Sequence, residues 1–344
     1  MIKFTHIEGF HYIIRTLEKM ADHPEIPTYR LGTPVTFRGT IKLHGSNSGV
    51  LCTTDALVPQ SRNRPLSIEE DNYGFAAWVA REEVRHAIRD IEQQVRQTAE
   101  LDVDTPLVLF GELIGSGIQK GVATSRLSAR QWVLFGAATR GEANSHGEAE
   151  KTYLDALPAL GETYADIGLY SVLDIETWQL TIDFSSRQSI EAGIEKANRI
   201  VDEVERACPW GRRFGIEGIG EGVVFTPTGE HWGRSWLYWK AKGEAHKKVK
   251  GPKVAIDPAV AASIDGFVDL AVTEGRLEQG LEYLAEMGLA VEMRSTGPYL
   301  QWLGRDVKRE CRAELEASGL EWKQVAKAVN HKALAFFKAK AQAL

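Results

Sequence analysis

The apolar residues of this chain repeat with two different periods, mixed in its first part and reduced to one in its last. Up to about residue 250, short runs that alternate or are wholly apolar, bounded by Gly or Pro as strands in sheets are, are interspersed with helical insertions. From Pro258 onward the spacing is helical only, with candidate helices at Pro258 to Thr273, Leu277 to Met287, Thr296 to Ser318 and Glu321 to Ala343. A strand-and-helix part followed by a purely helical part predicts an α+β chain of two domains. Gly251-Pro252 closes a lysine-rich tract and is a strong breaker of both structures, so the expected domains are 1–250 and 251–344. A length of 344 residues, 43% of them hydrophobic, is enough for two cores.

Within the first domain, Val35, Phe37, Ile41 and Leu43 fall on one face of a strand and Thr36, Arg38, Thr40 and Lys42 on the other. Further strands are expected at Leu107 to Leu113, Trp132 to Ala137, Gly222 to Thr226 and Trp236 to Ala241, forming mixed sheets. Ser67 to Thr98 and Ser185 to Ala207 carry helical spacing and are expected to cover them. Ser67-Ile68-Glu69-Glu70 has the serine-to-acid spacing of a capping box. The last candidate helix sets Val325, Val329, Leu334 and Phe337 in an apolar stripe, with Lys323, Lys327, Lys332, Lys338 and Lys340 around it.

The formal charge of -6 argues against nucleic acid until its distribution is considered. Acids crowd Glu69 to Asp104 and Glu142 to Glu205, whereas Lys240 to Lys253 is rich in lysine with a single acid, Glu244, and no acid follows Glu321. Cys52, Cys208 and Cys311 lie far apart with no CxxC pair, which predicts neither a disulfide framework nor a thiolate zinc site. The opening residues lack an apolar signal-peptide run, and no apolar stretch is long enough to span a bilayer. The cytoplasm and no membrane partner are expected.

Lys42-Leu43-His44-Gly45-Ser46-Asn47 puts Lys42 and His44 on one side of a strand that runs into a glycine, where the backbone can approach a ligand closely. Alone, this could be a surface lysine at a strand end. Five further segments follow it: Ser61-Arg62, Phe110-Gly111-Glu112-Leu113, Trp132 to Gly136, Glu221-Gly222-Val223-Val224, and Trp239-Lys240-Ala241-Lys242-Gly243-Glu244. Lys240 and Lys242 share one strand face, where two ammonium groups can bind phosphate. Gly115-Ser116-Gly117 and Gly218 to Gly222 fit neither GxGxxG nor GxxxxGK[ST], so they read as turns or strand entries. The nine histidines show no HExxH, and GxSxG is absent.

In this order the six segments resemble motifs I, Ia, III, IIIa, IV and V of the covalent nucleotidyltransferases. KxHGxN at the first, and Gly117-Ile118-Gln119-Lys120-Gly121 after the third, look like the RNA-ligase-2 branch. The resemblance covers about residues 1 to 250. It implies a nucleotidyltransferase domain, ATP-grasp-like, with mixed or antiparallel sheets and flanking helices, followed by a small all-α domain. The implied activity is ATP-dependent RNA ligation, in which AMP is carried on Lys42. The implied substrate is RNA with 3′-hydroxyl and 5′-phosphate ends, a nicked duplex in particular, with a DNA strand possible as part of it. A DNA ligase, or a nucleotide- or RNA-binding module without catalysis, is the alternative.

The resemblance also carries roles. Lys42, His44, Glu221, Lys240 and Lys242 would be catalytic. The nucleotide would be held by Phe4, Ile41, Lys42, Asn47, Arg62, Glu112, Phe135, Glu221, Lys240 and Lys242, with Phe135 against adenine and Glu112 on the ribose. Phe4 stands where a tyrosine is common, keeping the ring without the hydroxyl. Glu221 is the candidate ligand for magnesium or manganese. The chemistry needs such a set: an ordinary lysine, with a pKa of about 10.4, is neutral in roughly one molecule per thousand near pH 7, so nearby cations, a metal and partial burial must favour the free amine. Glu112 lies inside an apolar run, where an unpaired charge would be costly.

Overall fold

The computed structural model describes residues 1–21, 33–143, 149–243, 264–317 and 319–342. The chain divides into two units, Met1–His246 and Lys247–Leu344. Gly251-Pro252, Glu244, most of the lysine-rich tract and the first residues of the Pro258 helix lie outside the described residues.

The first unit is built on two sheets. Four antiparallel strands stand in the order β10-β9-β1-β8, where β1 is Val35–Lys42, β8 Trp178–Ile182, β9 Gly222–Pro227 and β10 Trp239–Lys242. The second sheet runs β3-β2-β4-β5-β6, with β2 Ser46–Cys52, β3 Leu57–Ser61, β4 Leu107–Ile114, β5 Gln131–Ala143 and β6 Ala149–Leu154. All of these pairs are antiparallel, and β7 (Leu169–Ser171) adds one parallel pairing to β5. The β1 alternation is the expected one, with Val35, Phe37, Gly39 and Ile41 buried and Thr36, Arg38, Thr40 and Lys42 half-buried.

Helices cover the sheets where the apolar periodicity demands it. α1 (His11–Ala21) and α4 (Arg187–Arg206) pack Ile13, Leu17, Ala197, Ile200 and Val204 on Val35, Phe37, Ile182 and Phe225 of the four-stranded sheet. α2 (Phe75–Val79) and α3 (Glu82–Thr98) lay Phe75, Val84, Ile88, Ile91 and Val95 on Val50, Leu109 and Leu134 of the other. The expected helix from Ser67 starts later. The Ser67 hydroxyl does accept from the Glu70 N–H at 3.1 Å, but this closes a turn. Asp71 takes the helix-starting role, its carboxylate accepting from the N–H groups of Ala76 and Ala77 at 2.7 and 2.9 Å. Similarly, the strand expected from Trp236 begins at Trp239, because Ser235–Leu237 forms a 3₁₀ turn. Helix α5 (Pro209–Arg213) is short and begins with proline.

The second unit is helical throughout its described residues: α6 Ile264–Ala271, α7 Glu274–Glu286, α8 Thr296–Glu310, α9 Arg312–Ala317 and α10 Trp322–Gln342. Thr296 to Ser318 is thus broken at Cys311. In α10 the buried stripe is Val325, Val329, Ala333 and Phe337, with Ala333 rather than Leu334 facing the core. Among the described residues, no helix is long and apolar enough to cross a membrane. Cys52, Cys208 and Cys311 are buried free thiols.

Candidate active site

Lys42 ends β1 in one sheet and Ser46 opens β2 in the other, so the Lys42–Asn47 segment is the crossing between them. Register fixes what surrounds it. Lys42 pairs with Gly222 on one side and Lys242 pairs with Gly222 on the other, and Glu221 immediately precedes that glycine. Both ammonium groups therefore converge on one carboxylate: Lys42 Nζ donates to Glu221 Oε2 at 2.7 Å, and Lys242 Nζ lies 2.8 Å from Oε1. His44 Nδ1 stands 3.3 Å from Oε2. Glu221 is 3% exposed. Burial opposes its charge, yet Lys242, then Lys42 and His44, together hold the carboxyl well below the usual carboxylate range.

Gly222 makes this approach possible. Its φ is +153°, and a Cβ there would lie 2.1 Å from the carbonyl oxygen of Ala241, so no side chain fits between β9 and β10 at this point. Lys240, two residues before Lys242, lies on the same face of β10, and its N–H donates to the carbonyl of Glu8 at 2.9 Å.

The facing sheet contributes Asn47 and Glu112, which are direct cross-strand partners. Glu112 has the partner its apolar surroundings require: its Oε1 accepts from the Gly45 N–H at 3.1 Å, while Gln119 Nε2 donates to the Gly45 carbonyl at 3.3 Å. The sequence predicts that Gly45 allows close approach of a ligand. What it approaches is β4: a Cβ at Gly45 would sit 2.2 Å from the carbonyl oxygen of Leu113.

Phe135 owes its direction to a β-bulge. Phe110 pairs with Gly136 and Gly111 with Leu134, which leaves Phe135 as the extra residue of β5. Its ring meets Phe4 edge to face at 5.0 Å, and Phe4 also meets Phe110 at 5.1 Å and Tyr153 at 5.3 Å. Ile41 is 3% exposed in an apolar cluster with Leu43 and Val133, so its side chain is committed to the core. Arg62 is exposed just after β3, and its Nη2 lies 3.0 Å from His6 Nδ1. The sequence did not single out Tyr153, whose hydroxyl accepts from the Thr5 N–H at 2.8 Å and fixes the segment carrying Phe4. A lone tyrosine 148 residues away carries no local signal of that contact.

The RNA ligase family model matches residues 35–242, from the first residue of β1 to the last of β10. The chain belongs to the RNA ligase family. No curated protein gives a significant match. Among solved structures, Naegleria gruberi RNA ligase is similar: a mutant with AMP and Mn at 18% identity and TM-score 0.38, a mutant with ATP and Mn at 19% and 0.40, and the ligase with PPi at 17% and 0.40. Each covers 71% of this chain and 57% of the Naegleria chain. This family member thus spans little more than half of that ligase's length, and its assignment rests on the family match.

Proposed function

We propose that this RNA ligase family member is an ATP-dependent RNA ligase of the RNA-ligase-2 type, with Lys42 as the nucleophile that carries AMP. The observation that carries this reading is the convergence of Lys42, Lys242 and His44 on the buried carboxylate of Glu221 at the crossing between the sheets. Lys42 Nζ would bond to the ATP α-phosphorus as the bond to pyrophosphate breaks, the amine losing its proton. The AMP would then pass to an RNA 5′-phosphate, and a 3′-hydroxyl would displace it to leave a phosphodiester. The steps suit sealing of a nick or RNA repair in the cytoplasm.

Each residue has a part in this scheme. Phe135 and Phe4 would pack on adenine, beside the main chain of Ile41, and Glu112 would accept from the ribose. Lys240 and Lys242 would bind phosphate, His44 and Asn47 would donate to it, and Arg62 would meet ribose or the incoming phosphate. Glu221 offers the oxygen donors that magnesium and manganese take, and one carboxylate plus substrate phosphates is a common magnesium arrangement. Both of its oxygens hold ammonium groups in this structure, so Lys42 and Lys242 would turn toward the phosphates for that ion to be held. Such an ion would neutralise phosphate charge. The RNA strand would be gripped in part by the helical unit, where Lys323, Lys327 and Lys338 of α10 are exposed.

The test is incubation with α-labelled ATP and magnesium or manganese. Acid-resistant AMP on the protein, lost in Lys42→Ala while circular dichroism shows that variant still folded at the assay temperature, is expected. An unlabelled wild type, or equal labelling of Lys42→Ala, would falsify the reading. Nicked duplexes with RNA or DNA at the 3′-hydroxyl side then separate an RNA ligase from a DNA ligase.

A further inference from the structure

The first ten residues form a strap pinned at three points. The Ile2 N–H donates to Gln60 Oε1 at 3.1 Å, the Thr5 N–H to the Tyr153 hydroxyl at 2.8 Å, and the Glu8 carbonyl accepts from Lys240. Gln60 is 3% exposed and lies on β3, two residues before Arg62. The strap therefore ties the β3 end of one sheet to the lysine-bearing strand β10 of the other, and His6 sits between the last two pins.

His6 has a defined chemical arrangement there. Its Nδ1 lies 3.0 Å from Arg62 Nη2, and its Nε2 lies 3.2 Å from Glu8 Oε1. A guanidinium can only donate, so Nδ1 must present its lone pair. The ring proton is then on Nε2, which lies 3.2 Å from the Glu8 carboxylate as a charge contact and not as an aligned hydrogen bond. The imidazole, beside Glu8, in turn holds an exposed arginine by one end of its fork, leaving the remaining N–H donors for another group.

We infer that His6, held by the pinned strap beside Glu8, is a positioning residue for Arg62, holding its guanidinium ready for a phosphate or ribose oxygen of the nucleotide or RNA. This deepens the proposed ligase reading and rests on it for the identity of the ligand. An arginine held before binding loses less conformational freedom when it binds. Nothing in the recognised motifs calls for histidine at this position. Its importance follows from the two contacts.

The test is a double-mutant cycle on equilibrium binding of α,β-methylene-ATP with magnesium, which cannot transfer AMP, and of a 5′-phosphorylated oligoribonucleotide, using the full chain. His6→Leu is expected to weaken one of these about tenfold, the scale of one hydrogen bond to a charged group. Arg62→Ala should weaken the same ligand at least as much, and the double variant no more than Arg62→Ala alone. His6→Asn, whose side-chain oxygen can stand in for Nδ1, should recover most of the loss, and melting temperatures should agree. The inference is overturned if His6→Leu changes neither affinity, or if it costs as much with Arg62 already gone. Binding needs no covalent step, so a protein that took no AMP label would refute the ligase reading and still leave this cycle decisive.

Discussion

At the residue scale, Glu221 dominates the site. Replacing it with glutamine leaves two ammonium groups facing a neutral amide. Breaking a buried pair costs about 3 to 5 kcal/mol, and the lower end applies because both lysines keep some solvent contact. For a unit of this size that is a loss of roughly 6 to 12 °C in Tm, which calorimetry would measure. The sign of the pH effect follows from the depressed carboxyl. Its folded pKa lies below the unfolded value of about 4.3, so its contribution is complete above that value and is lost as pH falls toward the folded one. Wild type should hold this stability from pH 8 to 5 and shed it below about pH 4, while Glu221→Gln should decline less steeply. Equal slopes would show that Glu221 is not the group responsible. The sequence named Lys42, Glu221 and Lys242 because each sits in its own motif. It could not show that the carboxylate lies between the two lysines, since that depends on the pairing of β1, β9 and β10.

At the element scale, two backbone features aim the side chains. Gly222→Ala should cost about 2 kcal/mol or more in a urea melt, because the Cβ would meet the Ala241 carbonyl and push β10 from β9. AMP labelling should fall with it as Lys242 moves; an unchanged melt would mean that the strands separate without cost. The bulge at Phe135 gives a second expectation. Phe135→Leu keeps an apolar side chain and removes the ring, so KM for ATP should rise several-fold, on the scale of about 1 kcal/mol for an aromatic contact, with Tm little changed. An unaltered KM would take Phe135 out of the base site. The long strands β4 and β5 were legible as apolar runs bounded by glycine. β2, β3, β6 and β8 were not, because strands such as Ser46–Cys52, with its serines and glycine, are held by cross-strand pairing rather than by a clear alternation of their own.

At the scale of the whole molecule, the family match ends at residue 242 and the first unit at His246, so the site residues all lie within one unit. A chain of residues 1–246 is expected to take AMP label from ATP while binding RNA more weakly. The slope of log K against log salt should also become shallower, by about one for each phosphate that the helical unit would otherwise neutralise. Undiminished RNA binding with the full salt slope would remove the helical unit from the RNA interface. Within that unit, Lys332 and Lys340 pair with Asp269 and Glu278 at 2.8 and 2.7 Å, so the lysine run read along α10 divides between internal pairs and an exposed set.

The sequence by itself determined the two-part α+β organisation, because the hydrophobic period is a local property, and it singled out Lys42 and the other candidate site segments, because their order along the chain resembles the motif series of the family. Tertiary structure alone decided the rest. Register placed Glu221 between Lys42 and Lys242, a bulge turned Phe135 out of the ladder, and the N-terminal strap brought His6 to Arg62 across 56 residues of chain. Each of these joins segments whose own composition gives no sign of the partner, and hydrogen-bond pairing, which side-chain patterns specify only weakly, is what sets them.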